Sequence, residues 1–188
     1  MRRSSRSILL LSVAALAALA AVAACGTGRT IVTIDILSFI KQQTLGDTLP
    51  YLIPGNAQGH QDYPPFSAPL LEGLSKSAVD SVQIYVAADI INYAGSGTVT
   101  FITFFGNDSA TVYSSTRTDT STGTVNGVDT LLVGHGFRTF ARGNDTTFIS
   151  KVWVGLRAAV DNPNAAAMNG RVQVGALQLR VYLKDKLF

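Results

Sequence analysis

From Val79 onward the chain alternates. Val82, Ile84, Val86, Ala88 and Ile90 share one face of an extended backbone, with Gln83 and Tyr85 beginning the other. That period of two marks a half-buried strand. After a turn over Asn92–Gly97, the run Thr98–Phe105 is rich in Thr, Val and Phe, all good strand formers. Gly106-Asn107-Asp108 signals the next turn, Ser109–Ser115 resumes as strand, and Thr118–Thr124 reads as a polar loop. Strands are then expected over Val128–Val133, Phe137–Ala141 and, after a second Gly143-Asn144-Asp145 turn, Phe148–Val160. A loop from Asp161 to Gly170 precedes the clearest alternation: Leu177, Leu179, Val181 and Leu183 against Gln178, Arg180, Tyr182 and Lys184. Val172 and Val174 lie out of phase with it, which predicts a bulge near Gly175-Ala176.

Upstream, Thr30–Ile40 is strand-like, and no segment after residue 30 carries a long 3.6-residue stripe. About eight short strands separated by turn signals predict an all-β fold. The expected form is an antiparallel β-sandwich, immunoglobulin-like in its Greek-key connections, over residues 30–188 as a single domain. One stretch breaks the pattern. Pro50, Pro54, Pro64, Pro65 and Pro69 crowd together with Tyr51, Tyr63 and Phe66. Proline removes backbone donors, so residues 42–78 read as a long irregular crossover. Tyr51, Tyr63 and Phe66 are then candidates for a partner-contact surface, the alternative being that they cover one end of the core.

Composition adds a core but little chemistry. The chain of 188 residues is 47% hydrophobic and 14% charged with one cysteine, enough for one packed domain and too few thiols for a disulfide, a CxxC pair or a Cys-rich zinc site. Its first segment reads as an export signal: Arg2, Arg3 and Arg6, then an apolar run from Ile8 to Ala24. The segment ends in Val22-Ala23-Ala24-Cys25, which resembles the lipobox of bacterial lipoproteins. The resemblance covers residues 1–25 only. It implies removal of residues 1–24, lipidation of Cys25 and a short tether over 25–29. Gly26, where inner-membrane lipoproteins carry Asp, implies sorting to an outer membrane, with the membrane face left open. The leader holds three arginines and no acid, so the 15 basic residues fall to 12, level with the 12 acidic ones. A neutral mature domain gives no support to nucleic-acid binding.

Candidate catalytic groups are sparse. Ser38-Phe39-Ile40-Lys41 matches S-x-x-K but lacks the companion elements of that chemistry, and no G-x-S-x-G occurs. His60, near Asp62, and His135, between Gly134 and Gly136, are the only histidines, and Glu72 the only glutamate. No metal-ligand spacing is present, although Asp108 and Asp145 would bind calcium if their two turns met. Trp153 with Phe101, Phe104 and Phe105 suggests core rather than a sugar-stacking platform. Phe188 lacks the apolar register of a barrel terminus, because Lys186 and Lys184 stand in it. The expectation is a non-catalytic module without cofactor or metal, held to the membrane by its lipid and binding another envelope protein or a polymer. The alternative is a β-fold carrier of a small apolar ligand or lipid.

Overall fold

The computed structural model describes residues 30–42, 46–69, 79–142 and 151–184. In chain order the elements are β1 (Ile31–Asp35), α1 (Ile36–Gln42), β2 (Thr48–Ile53), β3 (Ala57–Asp62), β4 (Phe66–Pro69), β5 (Val79–Ala94) and β6 (Ser96–Gly106). A 3-10 turn (Val112–Ser114) then precedes β7 (Thr118–Asn126), β8 (Asp129–Arg142), β9 (Lys151–Asn162) and β10 (Met168–Leu183). All pairings are antiparallel.

Two sheets stack face to face, as expected. In the first, β1 and β2 share one edge of β10, followed by β5 and β8. In the second, β3 and β4 share one edge of β9, followed by β6 and β7. Counting each shared edge as one interrupted strand gives eight among the described residues, crossing from sheet to sheet at every step except the β6–β7 pair, in the order of a jelly roll built from Greek keys. The Greek-key sandwich stands, while the strand order within it is this one rather than the immunoglobulin order. The bulge expected near Gly175 is present as a register shift between Val174 and Ala176. Phe66, Phe101, Phe105, Ile84, Ile90, Leu156, Met168 and Leu177 fill the space between the sheets.

Four segments depart from expectation. The proline-rich stretch is not one irregular crossover, because it contains β2, β3 and β4. Its prolines fall where no ladder donor is needed: Pro50 on an edge strand, Pro54, Pro64 and Pro65 between strands, Pro69 at a strand end. The run Thr30–Ile40 is β1 followed by α1. Asp35 starts that helix, its Oδ1 accepting the Leu37 amide at 3.1 Å, and Ile36, Leu37 and Ile40 are buried. Thr118–Thr124 is strand rather than loop, whereas Ser109–Ser115 is turn and 3-10 rather than strand.

The two ends of the sandwich differ. Thr30 and β1 join at one end, where the Leu183 amide donates to the Thr30 carbonyl. At the other end the β2–β3, β5–β6, β7–β8 and β9–β10 turns meet and are tied together. The Asn56 amide donates to Asn164 and the Gly127 amide to Gly95. Buried Asn92 and Asn162 add side-chain bonds, Asn92 to the Gly95 and Gly127 carbonyls and Asn162 to those of Pro54 and Ala166.

Candidate functional site

Tyr51, Tyr63 and Phe66 were expected to offer a contact surface, and their burial corrects this. They are only 4%, 9% and 1% exposed and belong to the core. Tyr51 and Phe66 turn inward as alternate residues of β2 and β4, and Tyr63, between β3 and β4, is held to the sheet by its amide donating to the Leu156 carbonyl. The Tyr51 hydroxyl donates to Asn92 Oδ1 at 2.9 Å, and burial, with a smaller contribution from Tyr93, pushes its pKa up to about 12. Cys25, Glu72, Asp145 and Phe188 lie outside the described residues. No described helix is long and apolar enough to cross a membrane.

The histidines have separate surroundings. His135 reaches inward from β8 to Asp119 of β7, Nε2 to Oδ2 at 2.7 Å, and its side chain is 3% exposed. Its Nδ1 meets the Gly136 carbonyl at 2.7 Å. Both ring nitrogens are engaged, so the pair stitches the two sheets along their open edge and leaves no ring nitrogen to serve a nucleophile. Ser38 donates its hydroxyl to the Asp35 carbonyl at 2.7 Å, a helix-start bond. Asp108 Oδ1 accepts the Ala110 amide, the local turn chemistry expected of Asp. Among the described residues, no three His, Cys, Asp or Glu side chains cluster as a metal site. Trp153 faces outward, half-buried, beneath the Lys151 ammonium at 4.6 Å. Phe101 and Phe105 are core.

The outer face of the second sheet holds the most developed site. Register places its side chains in rows across β3, β9, β6 and β7. One row is Gln58, Asp161, Thr98 and Thr124; the next is His60, Ala159, Thr100 and Thr122; the third is Asp62, Arg157, Ile102 and Thr120. The small Ala159, between His60 and Thr100 in its row, leaves a groove of about 410 Å³ lined by Gln58, His60, Thr98, Thr100, Arg157 and Asp161. Thr100 and Thr122 share a hydroxyl–hydroxyl bond at 3.1 Å, so the hydroxyl surface continues past the groove onto β7.

Arg157 closes the groove on the side of the β1 end. Its Nε and Nη2 grip the two Asp62 oxygens at 2.5 and 2.7 Å, and its guanidinium lies over Phe104 and Tyr113. Asp62 raises the Arg157 pKa further, chiefly through that hydrogen bond and against some burial. Tyr113, carried by the 3-10 turn, fills the space over Gly155 and bonds the Tyr63 and Leu156 carbonyls. Burial, with the Asp62 charge adding to it, pushes its pKa up to about 12. Sequence reading passed over this site because its parts come from four strands. The one available signal was Thr118-Asp-Thr-Ser-Thr-Gly-Thr124, whose strict alternation is that of a strand.

No protein-family model and no curated protein matches the chain. Among solved structures it is similar to infectious bursal disease virus Gx strain at 9% identity and TM-score 0.41, covering 84% of this chain and 32% of that one. It is also similar to the Gt strain at 13% identity and TM-score 0.39, covering 86% and 38%. The VP2 subviral particle of the same virus matches at 13% identity and TM-score 0.35, again covering 86% and 38%. The chain thus spans about a third of the length of the chains it matches.

Proposed function

We propose that this chain is a lipid-anchored module of a bacterial cell envelope, non-catalytic, structural or binding in role, with the outer face of the β3–β9–β6–β7 sheet as its contact surface. The carrying observation is polarity of the fold. The chain joins at Thr30 beside Leu183, while the groove residues 157–161 of β9 and 58–60 of β3 sit toward the opposite end. An acylated Cys25 would hold the first end at the bilayer and turn the groove half outward. The tether of a few residues keeps the domain close, since each spans at most about 3.6 Å. Two or three acyl chains would make that attachment durable.

The aromatic and aliphatic filling between the sheets favours a module over a carrier of apolar ligands. Both nitrogens of His135 are taken by structural bonds, which favours a supporting role for it over acid–base work. Mass measurement of the N-terminal peptide from native material tests the anchor. The expected peptide starts at Cys25 with acyl chains on its sulfur. A peptide retaining residues 1–24, or a bare thiol at Cys25, overturns the reading.

A further inference from the structure

We infer that the groove binds an uncharged polysaccharide, laid across the strands from β3 to β7. This rests on the module reading and names its ligand class. Three observations carry it.

The first is hydrogen-bonding type. Gln58 offers both donor and acceptor, and so do the hydroxyls of Thr98, Thr100, Thr122 and Thr124. Sugar hydroxyls have the same dual character, so such a surface satisfies them without fixing one orientation. Between the polar groups, Ala159, Ile102 and the threonine methyls supply apolar ground for the C–H faces of a sugar ring.

The second is charge. Arg157 on the groove wall is already held by both Asp62 oxygens and stacked on two rings, and His60, the other basic side chain lining the groove, has its Nε2 3.9 Å from the same carboxylate. Asp161 stands on the opposite side of the groove and disfavours anions. An acidic polymer would find its counter-charge taken and a carboxylate facing it.

The third is shape. The rows run out of the groove onto β7 through Thr98–Thr124 and Thr100–Thr122 instead of ending in a wall. Four strands span about 14 Å at roughly 4.8 Å between neighbours. A surface that continues beyond its depression suits a chain of sugars better than a single one.

Co-sedimentation of the full-length protein in detergent tests this, with insoluble cellulose, curdlan, chitin and mannan as neutral probes and calcium alginate as the charged one. Binding to at least one neutral polymer, above alginate, is expected. Ala159→Phe, which fills the groove floor from the solvent side, should weaken it at least tenfold. Thr100→Val, which keeps the methyls and removes one hydroxyl, should weaken it about threefold, with melting temperature confirming that both variants fold. Failure to bind any neutral polymer, preference for alginate, or indifference to both substitutions overturns the inference. Because binding is read in detergent, it stands or falls separately from the mass measurement at Cys25.

Discussion

Asn162 does the work of several residues. Its Nδ2 lies 3.0 Å from the Pro54 carbonyl and 2.9 Å from that of Ala166, and its Oδ1 accepts the Asn164 amide at 3.1 Å. The side chain is buried, so Asn162→Ala leaves these groups without water to replace it. A loss of about 2–3 kcal/mol in urea unfolding is expected, and a change within about 0.5 kcal/mol, the range of ordinary surface substitutions, would refute the tie. Tyr51 gives a pH signature. Its folded pKa of about 12 stands above the ordinary 10.0, so as pH rises past 10 the unfolded chain gives up its proton first. Stability therefore falls between pH 10 and 12, by about 2–3 kcal/mol for this group. Tyr51→Phe should make the alkaline slope shallower, leaving the contribution of Tyr113, while costing about 1–2 kcal/mol at neutral pH, because Asn92 Oδ1 loses its donor. An unchanged slope would show that the hydroxyl is not protected. Neither role was legible in the sequence. Asn162 reads there as a turn residue beside a proline, and Tyr51 as a loop aromatic, because the partner that ties each to the fold, Pro54 for Asn162 and Asn92 for Tyr51, lies far away in the sequence.

At the scale of elements, legibility followed the depth of the core beneath each strand. β5 and β10 bury one face completely, so their alternation is written in Val, Ile and Leu and was read correctly. β7 lies at an edge where the two sheets close together. Its inward residues are Asp119, Ser121, Gly123 and Val125, and a Cβ on Gly123 would press on Leu131, Val133 and Ile90. Small and polar residues fit that seam, and they disguise a strand as a loop. The seam is closed by His135 and Asp119, so Asp119→Ala should leave a 3%-exposed imidazole short of one partner. About 1–3 kcal/mol of destabilisation is expected, together with faster amide exchange along β7 than along β5. Uniform exchange in both strands would assign the pair no such role. Gly134 is the second device of this edge. Its φ of +142° and the Val86 carbonyl lying where a Cβ would go confine the position to glycine, so Gly134→Ala should lower the melting temperature more than Gly136→Ala, whose Cβ would meet nothing.

For the whole molecule, the sandwich was visible in turn spacing and alternation, but its winding was not. Which strands pair is set by long-range register, and β1 and β2 reach one β10 across most of the length of the chain. The same long strand gives the molecule a measurable axis. β10 has 16 residues, and at roughly 3.3 Å per residue it runs about 50 Å from the Lys184 end to the turns around Val128 and Tyr93. If acyl chains on Cys25 hold the domain, the Lys184 end faces the bilayer and Val128, 85% exposed, stands at the far end. Cys25 is the sole natural cysteine, and acylation occupies its sulfur, so a cysteine placed elsewhere would be the one free thiol. A fluorophore on Lys184→Cys in reconstituted vesicles should be quenched strongly by headgroup-attached quenchers, and one on Val128→Cys scarcely at all. Equal quenching at both sites would mean that the sandwich lies flat on the membrane. The groove face would then compete with lipid for contact, and the outward orientation that recommends it as a binding surface would be lost.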